Sequence, residues 1–103
     1  MSRITLTDCT GRWFSTETAE KFKETSYHDG RNFISNATGS QWEHENLYRT
    51  KGGRFVLAHY SDYQGTSSTY EEINAEEAAI WFSKNGLDPH PACLAEFNEL
   101  EIK

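Results

Sequence analysis

The segment from Trp42 to Ser61 constrains the fold more than any other, because two β-rich runs flank the tripeptide Lys51-Gly52-Gly53. β-Branched and aromatic side chains suit a pleated, half-buried surface, and glycine accepts the positive φ that a tight hairpin turn demands. The segment therefore predicts an antiparallel hairpin. With Lys51 to Gly53 as a three-residue turn and Gly53 left-handed, Thr50 faces Arg54, Tyr48 faces Val56 and Leu47 faces Leu57. One face then carries Leu47, Phe55 and Leu57, and the other Trp42, His44, Tyr48, Val56 and Tyr60. Large groups on both faces imply a sheet covered on each side. A two-residue turn at Gly52-Gly53 would shift the register by one and reshuffle every pair.

Other elements can be placed around this hairpin. Asp29-Gly30 lies between β-compatible segments and predicts a first hairpin within residues 25–34. Ser68 to Ile73 reads as a third strand through Thr69, Tyr70 and Ile73, and the alternation of Ile4 and Leu6 gives a short strand within Arg3 to Thr7. Asn74-Ala75-Glu76-Glu77 is a capping box, Ile73 and Ala78 fit a hydrophobic staple, and Gly86 supplies the stop. A helix over Ala75 to Asn85 follows, with Ala78, Trp81, Phe82 and Asn85 on one face. Thr16 to Glu24, with Ala19 and Phe22 three apart behind Ser15, reads as a short capped helix. Pro89 and Pro91 enforce an extended link, after which Ala92 to Phe97 makes one or two helical turns. Leu100 and Ile102 alternate with acids and read as a final edge strand beside Ile4 and Leu6. The expectation is one α+β domain over residues 1–103. Its antiparallel sheet has about four to six strands, built from two hairpins and packed by two or three short helices.

No apolar run approaches the roughly 20 residues that cross a bilayer, and Met1 to Leu6 has no hydrophobic stretch of secretory length, so the cytoplasm is the expected compartment and no membrane partner is expected. Cys9 and Cys93 lack the spacing of a disulfide framework or a zinc site and are read as free thiols. The net charge of −6 is concentrated late in the chain. Residues 70–103 hold eight acids, among them Glu71, Glu72, Glu76 and Glu77, against Lys84 and Lys103, whereas the preceding residues balance. Binding to a phosphate backbone is disfavoured at that end, since it depends on Lys and Arg releasing counterions, and a basic protein partner suits it better.

Catalytic ingredients are confined to histidine and acid, in His28-Asp29, Glu43-His44-Glu45 and His59. A metal site needs imidazole or carboxylate groups that converge, as two histidines one helical turn apart do. In the three-residue-turn register His59 faces Glu45 while His44 points to the opposite face, and in the shifted register His59 faces Asn46 and shares a face with His44; no complete ligand set is expected and no cofactor is called for. A metal-assisted or acid–base enzyme using His28, His44 or His59 stands as the alternative to a binding protein. Tyr48, Arg49, Lys51, Arg54 and Phe55 cluster at one hairpin tip and Arg31 sits at the other, a pattern that would suit a single-stranded nucleic acid, yet the pI near 5.1 weighs against it. The loop Tyr60 to Gly65, with Tyr63 and Gln64, and the polar run leading to Trp42 offer rings suited to protein recognition. Self-association as a homodimer is a further expectation, because a small two-faced sheet can bury its second face on a copy of itself.

The runs Tyr27-His28-Asp29-Gly30, Ala37-Thr38-Gly39-Ser40-Gln41-Trp42, Leu47-Tyr48-Arg49-Thr50, Gly53-Arg54-Phe55, Gln64-Gly65 and Glu76 to Trp81 resemble a group of small bacterial proteins often associated with plasmids or phage-like regions. The resemblance covers about residues 22 to 87, and its motifs concern the fold rather than catalysis. It implies no activity, cofactor or site residue, and points to an accessory protein of a mobile element, such as a modulator or inhibitor that acts by binding.

Overall fold

The computed structural model describes residues 3–62, 65 and 67–103. Among these, eight strands run in order along the chain: β1 Arg3–Thr5, β2 Trp13–Ser15, β3 Glu20–Lys23, β4 Ser26–His28, β5 Phe33–Ser35, β6 Glu43–Arg49, β7 Phe55–Ser61 and β8 Thr69–Ile73. Helix α1 spans Ala75–Lys84, and a 3-10 turn at Pro91–Cys93 leads into the short helix α2, Leu94–Asn98. The protein is α+β, as the sequence predicts. Its sheets are a four-stranded antiparallel one in the order β3-β6-β7-β8 and two two-stranded ones, β1-β2 and β4-β5.

The central hairpin takes the three-residue-turn register. Leu47 opposes Leu57 and Tyr48 opposes Val56, Thr50 N donates to Arg54 O at 2.8 Å, and Gly53 has φ +84°. A side chain at Gly53 would be strained at that φ, and its Cβ would lie 3.1 Å from an Arg49 Nη. The pleat then sends Leu47, Phe55 and Ile73 to one side, where they meet Ala78, Ala79, Trp81 and Phe82 of α1 and the buried Cys93. Asn74 caps α1, with its side chain accepting from Glu77 N at 2.8 Å. The opposite side sends Tyr48, Val56 and Ala58 against Leu6 and Phe14, with Phe14 and Tyr48 ring centroids 5.2 Å apart. The sheet is thus the middle of three layers, helices on one face and the β1-β2 ribbon on the other.

Two expectations fail. Thr16 to Glu24 is not a helix: a turn follows Ser15, whose Oγ accepts from Glu17 N at 3.3 Å, and Glu20–Lys23 then pairs with β6. The alternation Glu-Lys-Phe-Lys competes with the weak helical spacing and wins because it seats Phe22 edge-on to Phe82, at 5.0 Å, while the edge of β6 satisfies its backbone. The main sheet has four strands, within the four to six expected, and the β1-β2 and β4-β5 ribbons are separate from it. Leu100 and Ile102 form no strand either. Among the described residues β1 pairs with β2 alone, a pairing continued by Leu6 N donating to Arg12 O, and beyond it Thr7 N donates to Tyr70 O at 2.8 Å. Residues 99–101 turn back on α2 instead, leaving Ile102 98% exposed.

The β4-β5 hairpin closes through Asp29, whose side chain accepts from the amides of Arg31 and Asn32, both at 2.8 Å. It is anchored by Asn85 at the end of α1. Asn85 accepts from Thr25 N at 2.8 Å, donates to Trp81 O at 2.8 Å and is itself only 3% exposed. No helix among the described residues is long and apolar enough to cross a membrane.

Candidate functional site

The three histidines singled out by sequence lie apart. His28 Nδ1 accepts from Gly30 N at 3.2 Å and its ring stands edge-on to Phe33 at 5.0 Å, so it stiffens the β4-β5 tip. His59 opposes Glu45 in the register and contacts Glu43 at 3.2 Å on a half-exposed face. His44 is on the opposite side, where its Nδ1 meets Glu24 at 2.7 Å and its Nε2 meets Asp62 at 2.8 Å. Tyr60 stacks on its ring with centroids 5.2 Å apart.

That pair of contacts decides the chemistry of His44. A neutral imidazole has one N–H and can donate to only one carboxylate, whereas the imidazolium donates to both. Burial alone would lower the His44 pKa. The hydrogen bonds to Glu24 and Asp62, with their charges, more than offset it, and the pKa lies above its ordinary value. Glu24 is itself held in place, its other oxygen accepting from Ser35 Oγ at 2.8 Å and Glu45 N at 2.7 Å. With both ring nitrogens engaged on opposite sides, His44 offers no lone pair to a metal and no site for a substrate proton. It acts as a clasp joining the β3-β4 connection, β6 and the segment after β7. Among the described residues no three ligating side chains converge on one point. Sequence reasoning missed the clasp because Glu24 sat in the supposed helix. Asp62 was legible: it stands two beyond Tyr60, the partner of His44, and diagonal neighbours share a face.

A cavity of about 200 Å³ lies over α1 between Leu57, Ile80, Trp81, Lys84, Glu45 and Glu77. Burial raises the Glu45 pKa against the pull of Lys84, His59 and the Trp81 indole. The Trp81 Nε1–H is buried and attracts Glu45 without reaching hydrogen-bond geometry.

A larger concavity was not foreseen. A groove of about 830 Å³ opens between the β1-β2 ribbon and the β6-β7 turn, a size within the usual range of about 300–1,000 Å³ for ligand sites. Leu6, Phe14 and Val56 form its apolar floor, and Trp13, 54% exposed, stands on its wall with the Arg3 guanidinium 5.5 Å from the ring centroid. Its lining holds three cations, Arg12, Lys51 and Arg54, against Glu17 and Glu72, a slight positive excess on a chain of net charge −6, with Arg12 also meeting Asp8 at 3.2 Å just outside the lining. Glu72 ties the rim together: Arg54 Nη1 donates to one oxygen at 2.7 Å and Arg12 Nη1 to the other at 2.6 Å, and these bonds hold its pKa below the usual range. The signal for this groove in the sequence was the alternation of Trp13 and Phe14 after Gly11, which puts one ring in the core and leaves the other outside.

The remaining candidates are scattered. Trp42 is 43% exposed, with its backbone amide bound to Ser40 Oγ at 3.0 Å, and Tyr60 is engaged with His44. Tyr63 and Gln64 lie outside the described residues. Of the four acids, Glu72 is enclosed by two arginines and Glu77 closes the helix cap by accepting from Asn74 N at 3.4 Å, while Glu71 and Glu76 are exposed on β8 and α1. At the central hairpin tip Tyr48 and Phe55 are core residues, 8% and 4% exposed, so only the basic half of that basic-aromatic cluster reaches solvent. In comparisons with known proteins, the chain matches no family model, no curated protein and no solved structure.

Proposed function

We propose that this chain is a small non-enzymatic protein-binding protein whose docking surface is the groove between the β1-β2 ribbon and the β6-β7 turn. The observation that carries this reading is the groove itself, with its apolar floor, exposed Trp13 wall and basic rim. Tryptophan and arginine around an apolar floor are the groups that dominate protein contacts. The surface chemistry selects an extended segment with alternating apolar and acidic side chains: apolar groups reach Leu6, Phe14 and Val56, and carboxylates reach Lys51, Arg12 and Arg54. The engaged state of both His44 nitrogens favours binding over acid–base chemistry. An accessory or regulatory protein of a mobile element, as the sequence resemblance implies, would work in this way.

The test is a titration of three peptide sets into the full chain, apolar-acidic, apolar-basic and neutral, read by isothermal calorimetry for the wild type and for Trp13→Ala. Preferential binding of the apolar-acidic set, lost in Trp13→Ala, is the expected result. Equal response to all three sets, or preference for the basic one, contradicts the proposal.

A further inference from the structure

The segment that best fits the groove is in the same chain. Residues 98–103, Asn-Glu-Leu-Glu-Ile-Lys, alternate carboxylates at Glu99 and Glu101 with apolar side chains at Leu100 and Ile102. Those apolar side chains have no core to enter, being 39% and 98% exposed. The segment is lightly held: it starts at the last residue of a five-residue helix, and beyond the helix its backbone bonds are Glu99 N to Ala95 O at 3.3 Å, Leu100 N to Phe97 O at 3.0 Å and Glu101 N to Asn98 O at 3.3 Å. One short turn costs little to unwind, since isolated helices of this length are marginal in water. Extended, the segment places Leu100 and Ile102 on one side and Glu99 and Glu101 on the other.

We infer that the groove of one copy receives residues 98–103 of a second copy, in a reciprocal exchange that forms a closed two-fold dimer. The inference rests on the reading of the groove as a docking site and names its occupant. Charge complementarity carries it. The slightly positive groove faces a segment from the region that holds the chain's entire acidic excess, and the unpartnered Leu100 and Ile102 match the floor of Leu6, Phe14 and Val56. Closure follows from size. A single six-residue seat buries well under the roughly 1,200 Å² of total surface at the low end of stable interfaces, and two reciprocal seats approach it. A head-to-tail contact that did not close would run on into a filament, which a reciprocal pair avoids.

Sedimentation velocity across a wide concentration range, on the full chain, tests it. The expected result is a shift from the 11.8 kDa monomer to twice that mass, weakened by roughly tenfold in Ile102→Asp through loss of a partly buried aliphatic contact, and weakened also in Lys51→Glu, which sets like charge against Glu99 and Glu101. Both substitutions are at exposed positions, so folding is retained and is checked by circular dichroism. In Ile102→Cys, a short thiol cross-linker is expected to join the introduced thiol of one copy to Cys9 of the other, because Cys9 is exposed and adjacent to the groove-lining Thr10. A monomer at every concentration, or a dimer unaffected by both substitutions, overturns the exchange. If the peptide Asn98–Lys103 fails to bind while other apolar-acidic peptides do, the occupant is wrong and the docking site stands. If no apolar-acidic peptide binds, both fall.

Discussion

Raising the pH from 5.5 to 8.5 should remove the His44 clasp, and its effect can be worked from the geometry. The folded pKa of His44 lies above the unfolded value of 6.5. Its stabilising contribution is therefore fully present below about pH 6.5 and is lost as the pH rises through the folded pKa. Glu24 is sheltered, with 12% of its side chain exposed, and Asp62 is open at 54%. A charge-assisted hydrogen bond in a sheltered position contributes about 1.5–3 kcal/mol, and an exposed ion pair about 0–1 kcal/mol. Deprotonation leaves one N–H, so one bond survives without its charge while the other nitrogen turns a lone pair on a carboxylate. The expected loss is about 1–2 kcal/mol, or roughly 5–10 °C in melting temperature for a domain of this length. The assay is thermal unfolding by circular dichroism at four or five pH values, for the wild type and for His44→Gln. The difference between the two cancels the titration of groups they share; Glu24, Asp62 and Tyr60 are the ionisable neighbours that face the ring. The wild type should be the more stable at pH 5.5, with the gap closing by pH 8.5. A gap that is constant, or that widens with pH, shows that the protonated ring does not hold the two carboxylates.

Other expectations follow from the packing. Leu47, fully buried between the sheet and α1, should cost about 3–5 kcal/mol on replacement by alanine, measured by urea unfolding. Glu72→Gln removes the charge that two arginines share and should cost about 1 kcal/mol near neutral pH. Because hydrogen bonds from Arg54 and then Arg12 depress its folded pKa, that contribution is present above about pH 4.5 and fades in acid, so the wild type and Glu72→Gln should converge as pH falls. An alkylating reagent should label Cys9 alone in the folded protein and both thiols in urea. Cys93 is fully buried and burial pushes its thiol pKa up.

The parts of the fold that were legible are those written in short-range chemistry. Lys51-Gly52-Gly53 set the hairpin register through a turn that only glycine accommodates without strain, and Asn74 with Glu77 announced the start of α1. The alternation along β6 and β7 correctly sent Leu47 and Tyr48 to different cores. What was illegible depended on partners distant in sequence. Glu20–Lys23 is a strand because β6 and Phe82 are waiting for it, which nothing near Phe22 in the sequence reveals. The tail after α2 looks like a strand by alternation, yet its backbone turns back on α2 through Glu99, Leu100 and Glu101. The same limit governs the site. The three histidines could be placed on faces and Asp62 beside His44, but Glu24, the other carboxylate that meets His44, comes from 20 residues before it in a segment that reads as helix. The groove is legible only in part, as Trp13 beside Phe14, because its other wall comes from the β6-β7 turn.

Docking of an apolar-acidic segment in the groove beside Trp13 can be followed residue by residue through the backbone and indole amide chemical shifts of the isotope-labelled chain as such a peptide is added. Saturable shifts at the Trp13 indole, Gly11, Thr50 and Gly52, with α1 silent, are the predicted outcome. Shifts that cluster on α1 and Trp81, or none at any of these positions, would contradict it.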